Sequence, residues 1–207
     1  MIDIVQKGGP LIWLVLLCSI TALGVFMERM FYFHRASINT AEFLRGLANI
    51  LRRGDFGGAL HECASTPGPV ARVAHAVVLR HEISRADLRD VASEAGQLEI
   101  PKLERNLPLL ATVAYVTPLL GLLGTILGLL QTFEAIGAQG GNATITDIAG
   151  GVYWGLLASA AALAVAIPAF VAHSFLSARV NDFLRDMERT GIELLAVIDE
   201  LNRTSKP

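Results

Sequence analysis

The chain has 207 residues, of which 53% are hydrophobic and only 17% are charged, and its net charge is −2. Globular domains carry about 25% charged residues, so this composition excludes an ordinary soluble domain as well as a disordered chain. The lack of a basic excess gives no indication of a nucleic-acid partner. Two cysteines, Cys18 and Cys63, are too few for a disulfide scaffold.

Three segments contain no Asp, Glu, Lys or Arg: 20 residues from Gly8 to Met27, 28 from Asn106 to Phe133 and 31 from Ile148 to Ala178. A helix needs about 20 apolar residues to cross about 30 Å of hydrocarbon, so the sequence predicts three transmembrane helices. A secretory signal peptide is the alternative for the first segment. Against it, the segment is longer than an apolar signal core of about 7–15 residues and ends in Glu28-Arg29 rather than in small residues.

The distribution of basic residues predicts the orientation. Sixteen of the seventeen Lys and Arg lie between the first two segments or after the third, and the 134–147 loop has none. Because basic loops stay on the cytoplasmic side, we expect the N-terminus and this loop outside the cell. The predicted division is an N-terminus with the first span (1–33), a cytoplasmic helical domain (34–105), a second span (106–133), an outer loop (134–147), a third span (148–178) and a cytoplasmic C-terminal helix (179–207).

The segment between the first two spans has a helical pattern, with apolar residues at i, i+3, i+4 and i+7 from Phe43 to Leu51. The Gly54–Gly58 and Pro67–Pro69 stretches interrupt this pattern. We therefore expect short helices, one of which starts near Pro69.

A longer helix is predicted to follow these short ones. Ser84 is a suitable N-cap for a helix that continues without interruption into the second span. Pro101, Pro108 and Pro118 are expected to bend that helix without ending it.

The third span is predicted to continue as one helix into the C-terminal segment. Apolar residues keep a near-heptad spacing there: Leu176, Val180, Phe183, Met187, Leu194, Ile198 and Leu201. Such a stripe packs against another helix. Because no segment has the alternation of a strand, the predicted fold is an all-α membrane protein with three transmembrane helices and long cytoplasmic helical extensions.

Small and hydroxyl-bearing residues recur on one face of each later span. They are Thr117, Gly121, Gly124, Thr125, Gly128, Gln131 and Thr132 in the second span, and Gly155, Ser159, Ala162 and Ala166 in the third. Small residues let membrane helices approach closely, and hydroxyls bond across the interface. Helix packing is therefore one interpretation of the glycines, and a hydrated path past Thr125 and Ser159 is another.

Neither later span contains Asp, Glu, Lys or Arg. Ionisable residues usually mark ion pathways inside membranes, so a proton pathway here requires a carboxylate from a partner helix. The chain also lacks a phosphate-binding glycine loop, GxSxG and HExxH, and its five histidines are scattered. The sequence therefore predicts no enzyme, no cofactor and no metal site.

At Thr117-Pro-Leu-Leu-Gly-Leu-Leu-Gly-Thr125 the sequence resembles the ExbB/TolQ/MotA family of proton-channel proteins. The resemblance extends to Leu103-Glu-Arg105 and to Leu163-Ala-Val-Ala-Ile-Pro-Ala169, covers nearly the whole chain and is strongest towards ExbB. It implies a multi-pass protein of the bacterial inner membrane, surrounded by lipid, with a periplasmic N-terminus and a cytoplasmic C-terminus.

The resemblance also implies an assembly. The chain would form a pentamer around the helices of an ExbD-like single-span protein, whose intramembrane Asp takes up protons. Proton flow would drive a TonB- or TolA-like transducer that serves outer-membrane transport. A TolQ-like role in the Tol system, a flagellar stator role and a non-conducting membrane scaffold are the alternatives. The stator chains usually have four spans.

Three residues carry the implied pathway. Thr125 matches the pore-facing threonine of the family's second span, and Ser159 stands where the third span usually has threonine. Trp154 stands where ExbB-like proteins usually carry glutamate. Because tryptophan has no group that binds a proton at neutral pH, this position puts a proton relay in doubt and motivates the scaffold alternative.

Overall fold

A computed structural model describes residues 9–138 and 145–204 of the chain. These residues form helices and turns and contain no strand, which confirms the predicted all-α class. The seven helices described are α1 (Gly9–Ala36), α2 (Thr40–Arg52), α3 (Phe56–Ser65), α4 (Pro69–Leu79), α5 (Arg85–Glu104), α6 (Leu107–Ala138) and α7 (Ile145–Thr204). Three of them, α1, α6 and α7, are long and apolar enough to cross a membrane, as predicted.

The chain divides into two compact units. The membrane unit contains the described residues of 1–28 and 106–176, and the polar unit contains those of 29–105 and 177–207. Each unit draws on residues that are far apart in the sequence, because α1 and α7 each contribute residues to both.

Capping side chains fix where the helices of the polar unit begin. Asn39 accepts a hydrogen bond from the backbone N–H of the third residue of α2, and Asp55 does the same for α3. Ser84 caps α5 by accepting from Asp87 N at 3.3 Å, as predicted. Such caps satisfy N–H groups that have no partner within the helix.

The turn before α4 requires glycine. Gly68 has φ of +116°, a conformation that side chains rarely adopt, and a Cβ there would lie 2.6 Å from the carbonyl oxygen of Ala36. Pro69 follows as the first residue of α4, where its fixed φ suits a helix start and its missing N–H costs nothing.

The core of the polar unit is a cluster of aliphatic side chains from α2, α3, α4, α5 and the C-terminal part of α7. Leu47, Leu51 and Val77 are fully buried in it. The predicted stripe of α7 is confirmed: all of its members from Leu176 to Ile198 are buried, and Leu201 packs at the edge of the cluster.

The prediction of one uninterrupted helix from Ser84 into the second span is wrong. α5 ends at Glu104, Asn106 takes a left-handed φ of +64°, and α6 begins at Leu107. The cause is Pro108, which has no N–H to bond to the carbonyl of Glu104 and whose ring would clash with that carbonyl in a continuous helix. Asparagine tolerates the left-handed region. Pro101 and Pro118, in contrast, lie inside helices.

The prediction of a continuous third helix is confirmed. α7 extends over 60 residues and contains Pro168 in its interior. It also passes through Gly191 without a break.

Candidate functional site

Within the membrane unit, α6 and α7 approach until their backbones touch. A Cβ added at Gly128 would lie 2.5 Å from the carbonyl oxygen of Gly151 and 2.9 Å from the Cα of Gly155. At Gly121 it would lie 2.7 Å from the Cβ of Ala162. No side chain fits at such distances, so only glycine permits this approach.

The same contact continues at further positions along both helices. A Cβ at Gly124 would lie 2.8 Å from the Cβ of Ala158, and one at Gly155 would lie 3.0 Å from the Cα of Thr125. We call this contact the glycine seam; it comprises Gly121, Gly124 and Gly128 of α6 and Gly151 and Gly155 of α7.

Sequence reasoning missed Gly151. A Cβ there would meet the hydroxyl of Thr132 and, at 2.7 Å, the carbonyl oxygen of Gly128. The available signal was its spacing, since Gly151 precedes Gly155 by four residues and therefore shares its helix face.

A pair of hydroxyl groups lies at one edge of the seam. Thr125 Oγ1 and Ser159 Oγ are 2.5 Å apart, a hydrogen bond that joins α6 to α7. Ser159 also donates to the carbonyl oxygen of Gly121 at 2.7 Å, and Thr125 can donate to that of Gly155 at 3.2 Å. Both side chains are only partly buried, so the pair is accessible from one side.

The other hydroxyls of the α6 stripe bond within their own helix. Thr117 is fully buried and donates to the carbonyl oxygen of Val113 at 2.6 Å, and Thr132 donates to that of Gly128 at 2.9 Å. Gln131 is exposed and lies outside the seam. Among the contacts that the structure describes for these hydroxyls, those of Thr125 reach both helices.

The two edges of the seam differ. At one edge, the Cβ position of Gly124 meets Ala158 and, at 3.7 Å, Leu11 of α1. Thr125 follows Gly124 by one position, and Ser159 follows Ala158 by one position. Each hydroxyl-bearing residue is therefore turned about 100° further around its helix. The hydroxyl pair therefore lies at the edge away from Leu11.

The structure does not bring Trp154 to the hydroxyl pair. Five residues separate it from Ser159, which places the two side chains about 140° apart around α7. The Trp154 ring is partly exposed and lies edge-to-face on Tyr153, with 5.4 Å between ring centroids.

One buried charge in the polar unit was also missed by sequence reasoning. The side chain of Glu99 is 6% exposed and forms ion pairs with Arg72 at 2.8 Å and with Lys102 at 2.7 Å. The Lys102 spacing of i, i+3 was visible in the sequence, whereas the long-range pair with Arg72 was not. In the part of the chain that the structure describes, no three His, Cys, Asp or Glu residues are grouped as metal ligands would be.

Comparison with known proteins gives one family. The sequence profile of the MotA/TolQ/ExbB proton channel family matches residues 66–189, more than half of the chain and both helices of the glycine seam.

Several curated relatives agree with this match. The chain is 26% identical to a putative biopolymer transport protein ExbB homolog of Methanothermobacter thermautotrophicus, over 90% of this chain and 66% of that protein. It is 28% identical to the putative biopolymer transport protein ExbB-like 3 of Synechocystis, over 92% of each chain. A shorter match, 45% identical, covers 42% of this chain and 38% of the Tol-Pal system protein TolQ of Haemophilus influenzae.

Proposed function

Because the chain belongs to the MotA/TolQ/ExbB proton channel family, we propose that it is the ExbB-like subunit of a motor driven by the proton motive force. The chain is a multi-pass membrane protein of a family of channel and transport-complex subunits. The observation that carries the proposal is the Thr125–Ser159 hydroxyl pair, held between two membrane helices whose charge-free segments hold no carboxylate.

The proton carrier of this motor is a partner's carboxylate. Hydroxyl groups donate and accept hydrogen bonds but stay protonated at physiological pH, so the pair cannot store a proton. We assign the carrier to an Asp in the transmembrane helix of an ExbD-like single-span protein. The membrane potential supplies about 2.3 kcal/mol per proton at 100 mV, enough for a few protons to drive a mechanical step.

The geometry of the pair suits a group that changes its protonation state. When Ser159 donates to Gly121 O, Thr125 donates to Ser159 Oγ and keeps its own lone pairs open. A protonated partner Asp donates to those lone pairs. An ionised Asp accepts instead, and Thr125 then donates to it and releases Ser159. The pair thus responds to the charge of the partner by reversing one hydrogen bond.

The assembly follows the same proposal. The chain forms a pentamer around the partner helices in the bacterial inner membrane, with the N-terminus and the 134–147 loop in the periplasm and the C-terminus in the cytoplasm. Sixteen of the seventeen Lys and Arg lie between the first two spans or after the third, which supports this orientation. A TonB-type transducer carries the motion to outer-membrane transport.

A TolQ-like role in the Tol system is the second candidate. It is supported by the 45% identity to TolQ over 89 residues, which the ExbB of Aquifex aeolicus nearly equals with 44% identity over 93 residues. A third candidate, a non-conducting scaffold, is motivated by Trp154, where a glutamate is usual in the family.

Proton uptake by vesicles that contain the purified complex tests the pathway. Thr125→Val keeps the size of the side chain but removes the hydroxyl, so partner-dependent uptake is expected to be lost while the complex still assembles. Uptake at the wild-type rate in this variant would exclude Thr125 from the pathway.

Ser159 provides a matched pair of variants. Ser159→Thr keeps the hydroxyl and is expected to retain proton uptake, whereas Ser159→Ala removes it and is expected to reduce uptake. Equal uptake in the two variants would contradict a role for this hydroxyl.

Mass spectrometry of the proteins that co-purify from the native membrane tests the partners. Recovery of a single-span protein with an intramembrane Asp supports the motor, and a TonB-like or TolA-like companion decides between the two branches. Partners without any intramembrane carboxylate would favour the scaffold.

A further inference from the structure

Two contacts fix the register of α1 against α6 in the membrane unit. Near the charged ends, Asn106 Nδ2 donates to Glu28 Oε2 at 2.6 Å. At the other end, Leu11 packs 3.7 Å from the Cβ position of Gly124. Leu11 precedes Glu28 by 17 residues, and Gly124 follows Asn106 by 18. Both helices therefore cover about 26 Å between the same two levels.

This register places Trp154 relative to the hydrocarbon layer. The charged residues that border the apolar segments of α1 and α6 at this end are Glu28 and Arg105, which mark one edge of the layer. The opposite edge lies about 30 Å away, near Ile126 of α6. Trp154 lies beyond it, because Gly128, which contacts Gly151 and Gly155 on either side of Trp154, is about 33 Å from the charged edge.

The register also shows which side of α7 carries the Trp154 ring. Residues four apart share a helix face, so Trp154 lies one turn before Ala158, on the edge of the seam where Leu11 packs. Tyr153 is 58% exposed and points away from α6. The Trp154 ring packs edge-to-face on Tyr153 and is partly exposed, on the edge of the seam away from the Thr125–Ser159 pair.

The chemistry of Tyr153 and Trp154 suits the boundary between lipid tails and headgroups. Tryptophan and tyrosine are enriched at that boundary because each has an apolar ring and a polar tip. Phenylalanine or leucine would lack the polar tip, and a carboxylate would lack the apolar ring.

We propose that Tyr153 and Trp154 form a lipid-binding aromatic pair at the headgroup boundary, on the α1 side of α7 and outside the ion pathway. The ligand class is the phospholipid surface. The inference rests on the depth and facing of the two rings and does not depend on the proposed motor function, so either can fail without the other.

The two tryptophans of the chain make the depth measurable. Trp13→Phe leaves Trp154 as the only tryptophan, and Trp154→Phe leaves Trp13. Trp13 is 58% exposed and lies about 22 Å from the charged edge, inside the hydrocarbon. It is therefore an internal reference about 10 Å deeper than Trp154.

The experiment measures fluorescence quenching in the full-length chain, purified without partner proteins and reconstituted in phosphatidylcholine vesicles. The lipids carry bromine at either a shallow or a deep acyl position. We expect the shallow label to quench Trp154 more than the deep label does, and the deep label to be relatively more effective on Trp13. The emission maximum of Trp154 is expected at a longer wavelength than that of Trp13.

Two results would overturn the proposal. If neither brominated lipid quenches Trp154 while both quench Trp13, protein covers the ring and lipid does not. If the deep label is the better quencher of Trp154, the ring lies inside the hydrocarbon and the register-based depth is wrong. Tyr153→Leu in the Trp13→Phe background gives a second reading, since loss of one boundary residue is expected to move Trp154 towards the deep label.

Discussion

Each of the two units of this protein is stabilised internally by a different kind of contact. In the polar unit, large aliphatic side chains such as Leu47 and Val77 fill a core that is closed to solvent. In the membrane unit, α6 and α7 meet where side chains are absent, at Gly128 and Gly151, and large apolar side chains such as Leu130 and Leu156 lie on the outside.

The difference follows from the solvent around each unit. In water, burying apolar area stabilises the fold by about 25 cal/mol per Å². In lipid that gain disappears, since the acyl chains are as apolar as leucine, and close backbone packing with interhelical hydrogen bonds takes its place. Truncating a large side chain should therefore weaken the polar unit, whereas enlarging a small one should weaken the membrane unit.

The largest effect is expected from truncation in the polar unit. Leu47→Ala removes a fully buried side chain and is expected to lower the free energy of unfolding by about 2–5 kcal/mol. The measurement is urea-dependent alkylation of Cys63, which is buried in the same cluster. Leu79→Ala is the control, because Leu79 is 57% exposed; an equal loss in both variants would contradict this picture of the core.

Enlargement in the membrane unit comes next. Gly128→Ala places a Cβ against the backbone of α7 and is expected to cost about 1–3 kcal/mol through overpacking. Thermal unfolding in detergent micelles checks this. Gly137→Ala is the matched control, since nothing lies within 4 Å of its Cβ position and alanine is the better helix former. Gly128→Ala melting as high as the control would show that the seam is loose.

A smaller effect is expected at a helix cap of the polar unit. Asp55→Ala removes the hydrogen bond that the carboxylate accepts from Gly58 N at 2.8 Å, and is expected to cost about 1 kcal/mol. The exposed Asp90 provides a control, and Asp90→Ala is expected to stay within about 0.5 kcal/mol of wild type. Alkylation of Cys63 again reports the difference, and the cap assignment fails if the two variants match.

The last prediction concerns pH, and its effect is absent at neutral pH. Burial, with a contribution from the neighbouring Glu62 carboxylate, raises the pKa of Cys63 from 9.0 to about 12. In the unfolded chain the thiol ionises near its ordinary pKa, so the folded state binds the extra proton between these values and its stability falls as pH rises above 9.

Cys63→Ala separates this contribution from other titrations. The free energy of unfolding of wild type is expected to decline relative to this variant above pH 9, with no difference in slope below it. Parallel slopes over the alkaline range would mean that the native thiol ionises as freely as in the unfolded chain. Native Cys63 should also resist alkylation at neutral pH.

Much of the fold could be predicted because the relevant signals are local. The three membrane helices follow from the absence of charge over 20, 28 and 31 residues. The starts of α4 and α5 follow from Pro69 and Ser84, and the buried stripe of α7 follows from its spacing. The break at Asn106 was missed because the sequence does not show whether a proline bends a helix or ends it. Pro101 and Pro118 lie inside helices, whereas α5 ends four residues before Pro108.

The candidate site was only partly predictable. The sequence identified Thr125 and Ser159 as residues of interest, but their separation by 34 positions gives no indication that the two hydroxyls bond to each other. Gly151 and the buried Glu99 were missed for the same reason, because the role of each depends on an atom of another helix.

The sequence by itself determined that this protein has three helices long and apolar enough to cross a membrane, and that the charge-free segments of the two later ones hold no carboxylate. Each of these features depends only on consecutive residues, because the free energy of moving a helix into lipid adds up along the chain. Only the tertiary structure decided that Thr125 faces Ser159, and that Trp154 lies on the opposite edge of the seam. These depend on how α6 and α7 are placed against each other, which is set by the glycines that let the two backbones touch.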